Sequence, residues 1–241
     1  MNNTSIEWCD YTWNPVTGCQ HGCSYCYARK IAERFRGSKA WPVGFEPMFH
    51  PERLRDLQKM KKPQTIFVCS MADLFGTWVP DAWINEVFTM MRASPQHTYI
   101  LLTKDARRAG HRLVDSFYQF GEKYWPSKIP QNWWIGASVE SSTFTGRIDD
   151  LLRIPTKNRF VSFEPLLGKM TSEDFPFSLA GMNQVIIGAQ TNPYIPPPGD
   201  AVRSVVRAAR NAGALVFFKD SMSGVDWGVP MTRELYWTVQ K

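Results

Sequence analysis

Short apolar runs, each too brief to be a helix, recur along the chain between longer stretches of helical spacing, and this alternation limits the fold more than any other feature. The runs are TIFVC (65–69), TYILLT (98–103), WWIGAS (133–138), RFVSF (159–163), QVIIGA (184–189) and ALVFFK (214–219), with a weaker one at YTWNPV (11–16). Between them lie segments of helical period, among them CYARKIAERF, DAWINEVFTMMRAS, GRIDDLLRI and DAVRSVVRAARNAG; the last is expected to open on a capping Asp200 and close on Gly213. Continuous apolar strands alternating with helices mean a parallel sheet covered by helices, either open or closed into a barrel. A chain of 241 residues that is 44% hydrophobic suffices for one such core, so a single domain over 1–241 is expected. The proline-rich NPYIPPPGD (192–200) reads as a stiff loop inside it.

In both architectures reactive groups gather where parallel strands end. Those positions hold Ser70, Met71 and Asp73; Thr103 and Lys104; Ser138 and Glu140; Ser162 and Glu164; Gln190; and Lys219 and Asp220. Polar residues end strands generally, which explains some of these. It explains Glu140 and Glu164 less well, since each stands two residues beyond a serine.

Three of the five cysteines crowd into TGCQHGCSYCYARK (17–30) as Cys19, Cys23 and Cys26, with the spacing C-x3-C-x2-C. The start of the chain lacks a basic segment leading into an apolar one, and no run is long enough to span a membrane, so a cytoplasmic protein is expected. Thiols stay reduced there, and five is an odd count, which argues against a disulfide framework. Two metal readings remain. A structural zinc site needs a fourth ligand, from His21 or from the distant Cys9 or Cys69. A [4Fe-4S] cluster on three thiolates leaves one iron open to another ligand.

The stretch CQHGCSYCY resembles the cluster loop of the radical S-adenosylmethionine (SAM) superfamily. That resemblance implies a [4Fe-4S] cluster on Cys19, Cys23 and Cys26, SAM as second cofactor, and reductive cleavage of SAM to a 5′-deoxyadenosyl radical. It also implies a partial to nearly complete (β/α) TIM-like barrel of six to seven parallel strands, with the cluster loop after the first. Spore photoproduct lyase and its relatives are similar over CSYCY (23–27), CSMAD (69–73) and the Thr-Lys pair at 103–104, although CSMAD carries one additional residue. With SFEPL and FFKD included, the whole chain looks like a phage-associated radical SAM family. By this likeness Ser70 and Asp73 bind the methionyl end of SAM, Lys104 its carboxylate and Ser138 its ribose. Tyr25 flanks the last cluster ligand, Glu140 and Glu164 join the cofactor contacts at the rim, and Cys69 returns a hydrogen atom to the substrate radical. A thiol on a strand is otherwise a small buried apolar residue.

The formal charge of +6 suits a polyanionic partner, and ten tryptophans, among them Trp78, Trp83, Trp125, Trp133 and Trp134, offer faces for stacking bases. The expected substrate is a nucleic-acid base or nucleotide, through DNA modification or repair of a pyrimidine lesion. An electron donor such as flavodoxin or ferredoxin is the expected partner. A free small-molecule substrate is the first alternative, and a non-catalytic iron-sulfur or zinc module the second.

Overall fold

A computed structural model describes residues 1–119, 129–170 and 177–239. Trp125 lies outside the described residues. The chain separates into two compact units, Met1–Trp133 and Trp134–Lys241. The fold is α/β, its main strands mostly parallel, four in each unit.

In the first unit, β1 (Asn2–Asn3) pairs antiparallel with β2 (Tyr11–Trp13), and a two-residue strand β3 (Val16–Thr17) follows. Helix α1 (Tyr27–Arg34) leads to β4 (Met48–Phe49), which pairs back onto β3. Helix α2 (Asp56–Lys59), β5 (Thr65–Val68), α3 (Asp81–Arg92), β6 (Thr98–Thr103) and α4 (Ala106–Gln119) complete the unit. The parallel order β2-β5-β6 places the cysteine loop after the first parallel strand, where the sequence predicts it. Ile84, Val87, Phe88 and Met91 of α3 recur at helical spacing and are all buried, with Phe88 packed 5.1 Å from the Trp133 ring.

The second unit begins within β7 (Trp133–Ser138) and continues through α5 (Gly146–Leu152), β8 (Arg159–Phe163), β9 (Gln184–Ile187), the hairpin β10 (Gln190–Thr191) and β11 (Tyr194–Ile195), α6 (Gly199–Asn211), β12 (Leu215–Phe218) and α7 (Tyr236–Val239). Strands β7-β8-β9-β12 are parallel in that order. One sheet face meets α5 and α6, whose Ile148, Leu151, Val202, Val205 and Ala209 are buried. The other face is covered by the segment around α7. Trp237 lies 5.1 Å from Trp134 and 5.6 Å from Phe160, and the Gln184 amide donates to Glu234 O and accepts from Tyr236 N. Gly136 opposes Phe160 in the register, and a Cβ there would stand 2.3 Å from that ring, so only glycine fits.

Most strand limits agree with the sequence pattern to within two residues, and three differences have local causes. Cys69 is not in β5 but just past it, at φ 59°, the left-handed region that ends a strand. Asp200 does not cap α6: the helix starts at Gly199 behind Pro198, and the Asp200 carboxylate accepts from Ala201 N. Gly213, at φ 69°, does close that helix. The 192–200 stretch includes one strand of a tight hairpin rather than loop alone.

Candidate functional site

The ends of β2, β5 and β6 carry one hydrogen-bonded cluster, with Asp73 at its centre. Asp73 is 5% exposed and accepts four hydrogen bonds. Phe75 N and Thr103 Oγ1 donate to Oδ1 at 3.1 and 2.7 Å, and His21 Nε2 and Lys104 N donate to Oδ2 at 2.7 and 2.9 Å. Burial pushes the carboxyl up, but the His21 contact, the Lys104 N–H and the Thr103 hydroxyl outweigh it and hold Asp73 below its ordinary value. A buried anion is therefore fixed at the end of β5.

The cysteine loop is stitched to these strand ends at several points. His21, two residues past Cys19, reaches Asp73 and meets the Trp78 ring edge-on at 4.8 Å. Gly18 N donates to Met71 O, and Tyr27 Oη donates to Ser70 O at 2.8 Å. Lys104 Nζ donates to Tyr25 Oη at 3.0 Å and lies 5.5 Å from the centre of that ring. The two tyrosines of CSYCY thus touch the segments after β5 and β6. Asn14, at the end of β2, accepts from Met71 N and from Ser70 Oγ, and so fixes the 70–71 turn.

Cys26 is the N-cap of α1, its sulfur accepting from Arg29 N at 3.4 Å, while the Arg29 guanidinium donates to Cys19 O. Cys19 packs with Cys26, Trp41 and Met71 around Ala28, Ala32 and Phe45. Burial pushes the Cys19 thiol up to about 11; a backbone N–H at His21 opposes this, and the charges of Asp73, Cys23 and Cys26 add to it. The three thiols therefore share one loop and one electrostatic neighbourhood. They are free cysteines, and among the described residues no three His, Cys, Asp or Glu side chains converge to hold a metal ion. Their chemistry as a donor set, three thiols on one short loop, suits a cluster; their placement does not gather the sulfurs. Cys69 is buried, its thiol pushed up to about 12 by burial against a backbone contact at Val16, with the Asp73 charge adding.

The other residues named from the sequence lie in the second unit. Ser138 is 7% exposed at the end of β7, beside Ser162 in the register. Glu140 is buried, its carboxylate 2.8 Å from Arg147 Nη1, which also donates to Ser138 O. Glu164 forms an ion pair with Lys219. Of the tryptophans, Trp133 and Trp134 are core residues and present no face to a ligand, and Trp83 stacks on Phe49 at 5.4 Å.

Sequence reasoning left Asn14 and Thr103 without a role and weighed His21 only as a metal ligand. Each is a polar residue at a strand end or inside the cysteine loop, which is the signal that finds them. Nothing in the sequence pairs them with Asp73.

No helix among the described residues is long and apolar enough to cross a membrane. A family model described as "Protein of unknown function (DUF5131)" matches residues 3–230. A search of the curated proteins finds no match. Among solved structures, a Cys-to-Ala mutant of spore photoproduct lyase with dinucleoside spore photoproduct is similar at a TM-score of 0.59 and 12% identity, over 90% of this chain and 79% of that one. The likeness is one of fold.

Proposed function

The chain belongs to the DUF5131 family, and from the shared fold and the stitched cysteine loop we propose that it is a radical SAM enzyme, with a [4Fe-4S] cluster on Cys19, Cys23 and Cys26. The partial barrel expected from the sequence is part of the same reading. The observation that carries it is the contact set linking CSYCY to CSMAD and to Thr103-Lys104: three motifs far apart in sequence meet at one end of the first unit. Held by those three thiolates, a [4Fe-4S] cluster would supply the electron for reductive cleavage of SAM. A thiol raised by burial and by neighbouring anions, as Cys19 is, gains strongly from a bound cation.

The chain's own side chains then divide the cofactor between them. Lys104 suits the carboxylate of the methionyl group as a charge-assisted contact, while Asp73, whose carboxylate is buried and already accepts four hydrogen bonds, remains an ammonium contact proposed from the sequence alone. Ser70 supports the same end, and Tyr25 both shields the loop and orients Lys104. Ser138, Glu140 and Glu164 remain cofactor contacts proposed from the sequence. Cys69, held protonated by burial, is in the state a hydrogen-atom donor requires. Cys69→Ala should keep iron and SAM cleavage while diverting the substrate radical to side products; an unchanged product distribution returns Cys69 to packing.

The substrate we propose is a nucleic-acid base or nucleotide, met in the cytoplasm. Support comes from the basic segments 53–62 and 201–219, each +4, and from the dinucleoside present with the similar lyase. The test is anaerobic purification, iron analysis and incubation with SAM and dithionite. Bound iron with release of 5′-deoxyadenosine is expected. Iron-free protein, or iron without cleavage, overturns the reading. Retention on duplex DNA across a salt series separates the substrates: a steep fall with salt supports nucleic acid, and weak binding throughout supports a free small molecule.

A further inference from the structure

We propose that the exposed side of α1 and the loop after it dock a small acidic redox protein, the source of the electron that the reaction consumes; the inference rests on the radical SAM reading. Helix α1 is held to its unit by Ala28 and Ala32, which pack with Phe45. Beside that buried seam, Tyr27, Ile31 and Phe35 recur at every fourth position and line one stripe. They are 48, 41 and 51% exposed, and Val43 in the following loop is 41% exposed. Large apolar side chains exposed singly are ordinary, but a contiguous row marks an interaction surface.

The charge around the row is one-sided. Residues 27–43 include Arg29, Lys30, Arg34, Arg36 and Lys39 against Glu33 alone, a local charge of +4 around the apolar row. The Glu33 carboxylate is already taken up by Arg36 and Phe45 N. An apolar centre with a basic rim fits an acidic protein, the rim steering the encounter and the centre holding the complex. A nucleic-acid strand would use the cations and the aromatic faces but leave aliphatic Ile31 and Val43 without a role. Placement agrees, because α1 starts directly at Cys26 and runs from the cysteine loop to this surface. In the step itself one electron leaves the reduced partner, which is oxidised by one, and the enzyme is reduced by one.

The test uses iron-loaded protein, a flavodoxin as the acidic probe, and two double variants, Lys30→Glu/Arg34→Glu and Ile31→Ser/Phe35→Ser, each checked for a native circular dichroism spectrum. Calorimetric titration should show flavodoxin binding to the parent protein that weakens as salt rises. The charge variant should bind about tenfold more weakly and lose most of the salt dependence, as removal of rim charges dictates. The apolar variant should also bind more weakly, with its salt dependence retained. SAM cleavage driven by reduced flavodoxin should fall in parallel, whereas cleavage driven by dithionite should match the parent. Equal flavodoxin affinity in parent and variants, or no binding by the parent, overturns the docking surface. So does loss of duplex DNA binding in the charge variant with flavodoxin binding intact, which would make the segment a nucleic-acid site. Absence of dithionite-driven cleavage in the iron-loaded parent instead overturns the enzymatic reading on which the inference rests.

Discussion

Asp73 joins the three motifs by accepting four donors from three different segments, so its charge is structural. Asp73→Asn keeps the shape but turns one acceptor into a donor facing donors, and should cost about 3 kcal/mol in urea unfolding, in line with leaving buried donors unsatisfied. A loss within a few tenths of that of a surface substitution would mean the cluster adapts. At the same scale, Cys19→Ala, Cys23→Ala and Cys26→Ala should each remove the iron of anaerobically prepared protein, whereas Cys9→Ala should leave it. Full iron in any one of the three would show the ligand set to be different. The residue types were legible in the sequence, since spacing alone isolates the triplet. Their partners were not: His21 to Asp73 spans 52 positions and Lys104 to Tyr25 spans 79, and no local pattern encodes a contact across such distances.

Elements were easier to read than contacts, because burial on both faces leaves its mark as an unbroken apolar run. TYILLT, WWIGAS and RFVSF coincide with β6, β7 and β8. Two-residue strands carry no such run, and β1, β3, β4, β10 and β11 escape detection for that reason. The turn preceding the cysteine loop shows what sets its path. Gly18 sits at φ 84°, and a Cβ there would stand 2.2 Å from Glu46 O, so the backbone passes where only glycine can pass. Gly18→Ala should therefore destabilise the first unit by more than about 1 kcal/mol, the reverse of the gain such a change gives at a relaxed site. Urea midpoints compare the two, and an unchanged midpoint would show that the 46–47 segment moves aside freely.

Composition and size lead to the expectation of a single domain over 1–241; within the chain, contacts group into two compact units, and the division falls inside the run WWIGAS. Periodicity could not mark it, because no linker composition interrupts the strand. The whole-chain charge of +6 likewise hid its distribution, in which residues 27–43, 53–62 and 201–219 each carry +4 and acidic segments lie between them. The order in which the second unit closes follows from its covering segment. Gln184 opens β9 and is fully buried, yet its amide is satisfied by Glu234 and Tyr236, partners 50 and 52 positions later, so that face can be completed only after a long loop is closed. The entropy of closing that loop precedes the contacts that repay it, and the expectation is that they form after the folding barrier. On that expectation Trp237→Ala, which removes the contacts with Trp134 and Phe160, should leave the folding limb of a stopped-flow chevron nearly unchanged while unfolding accelerates. A slowed folding limb would place the segment in the nucleus. With the late order, the lifetime of the native second unit is set by how rarely this last-laid segment lifts away.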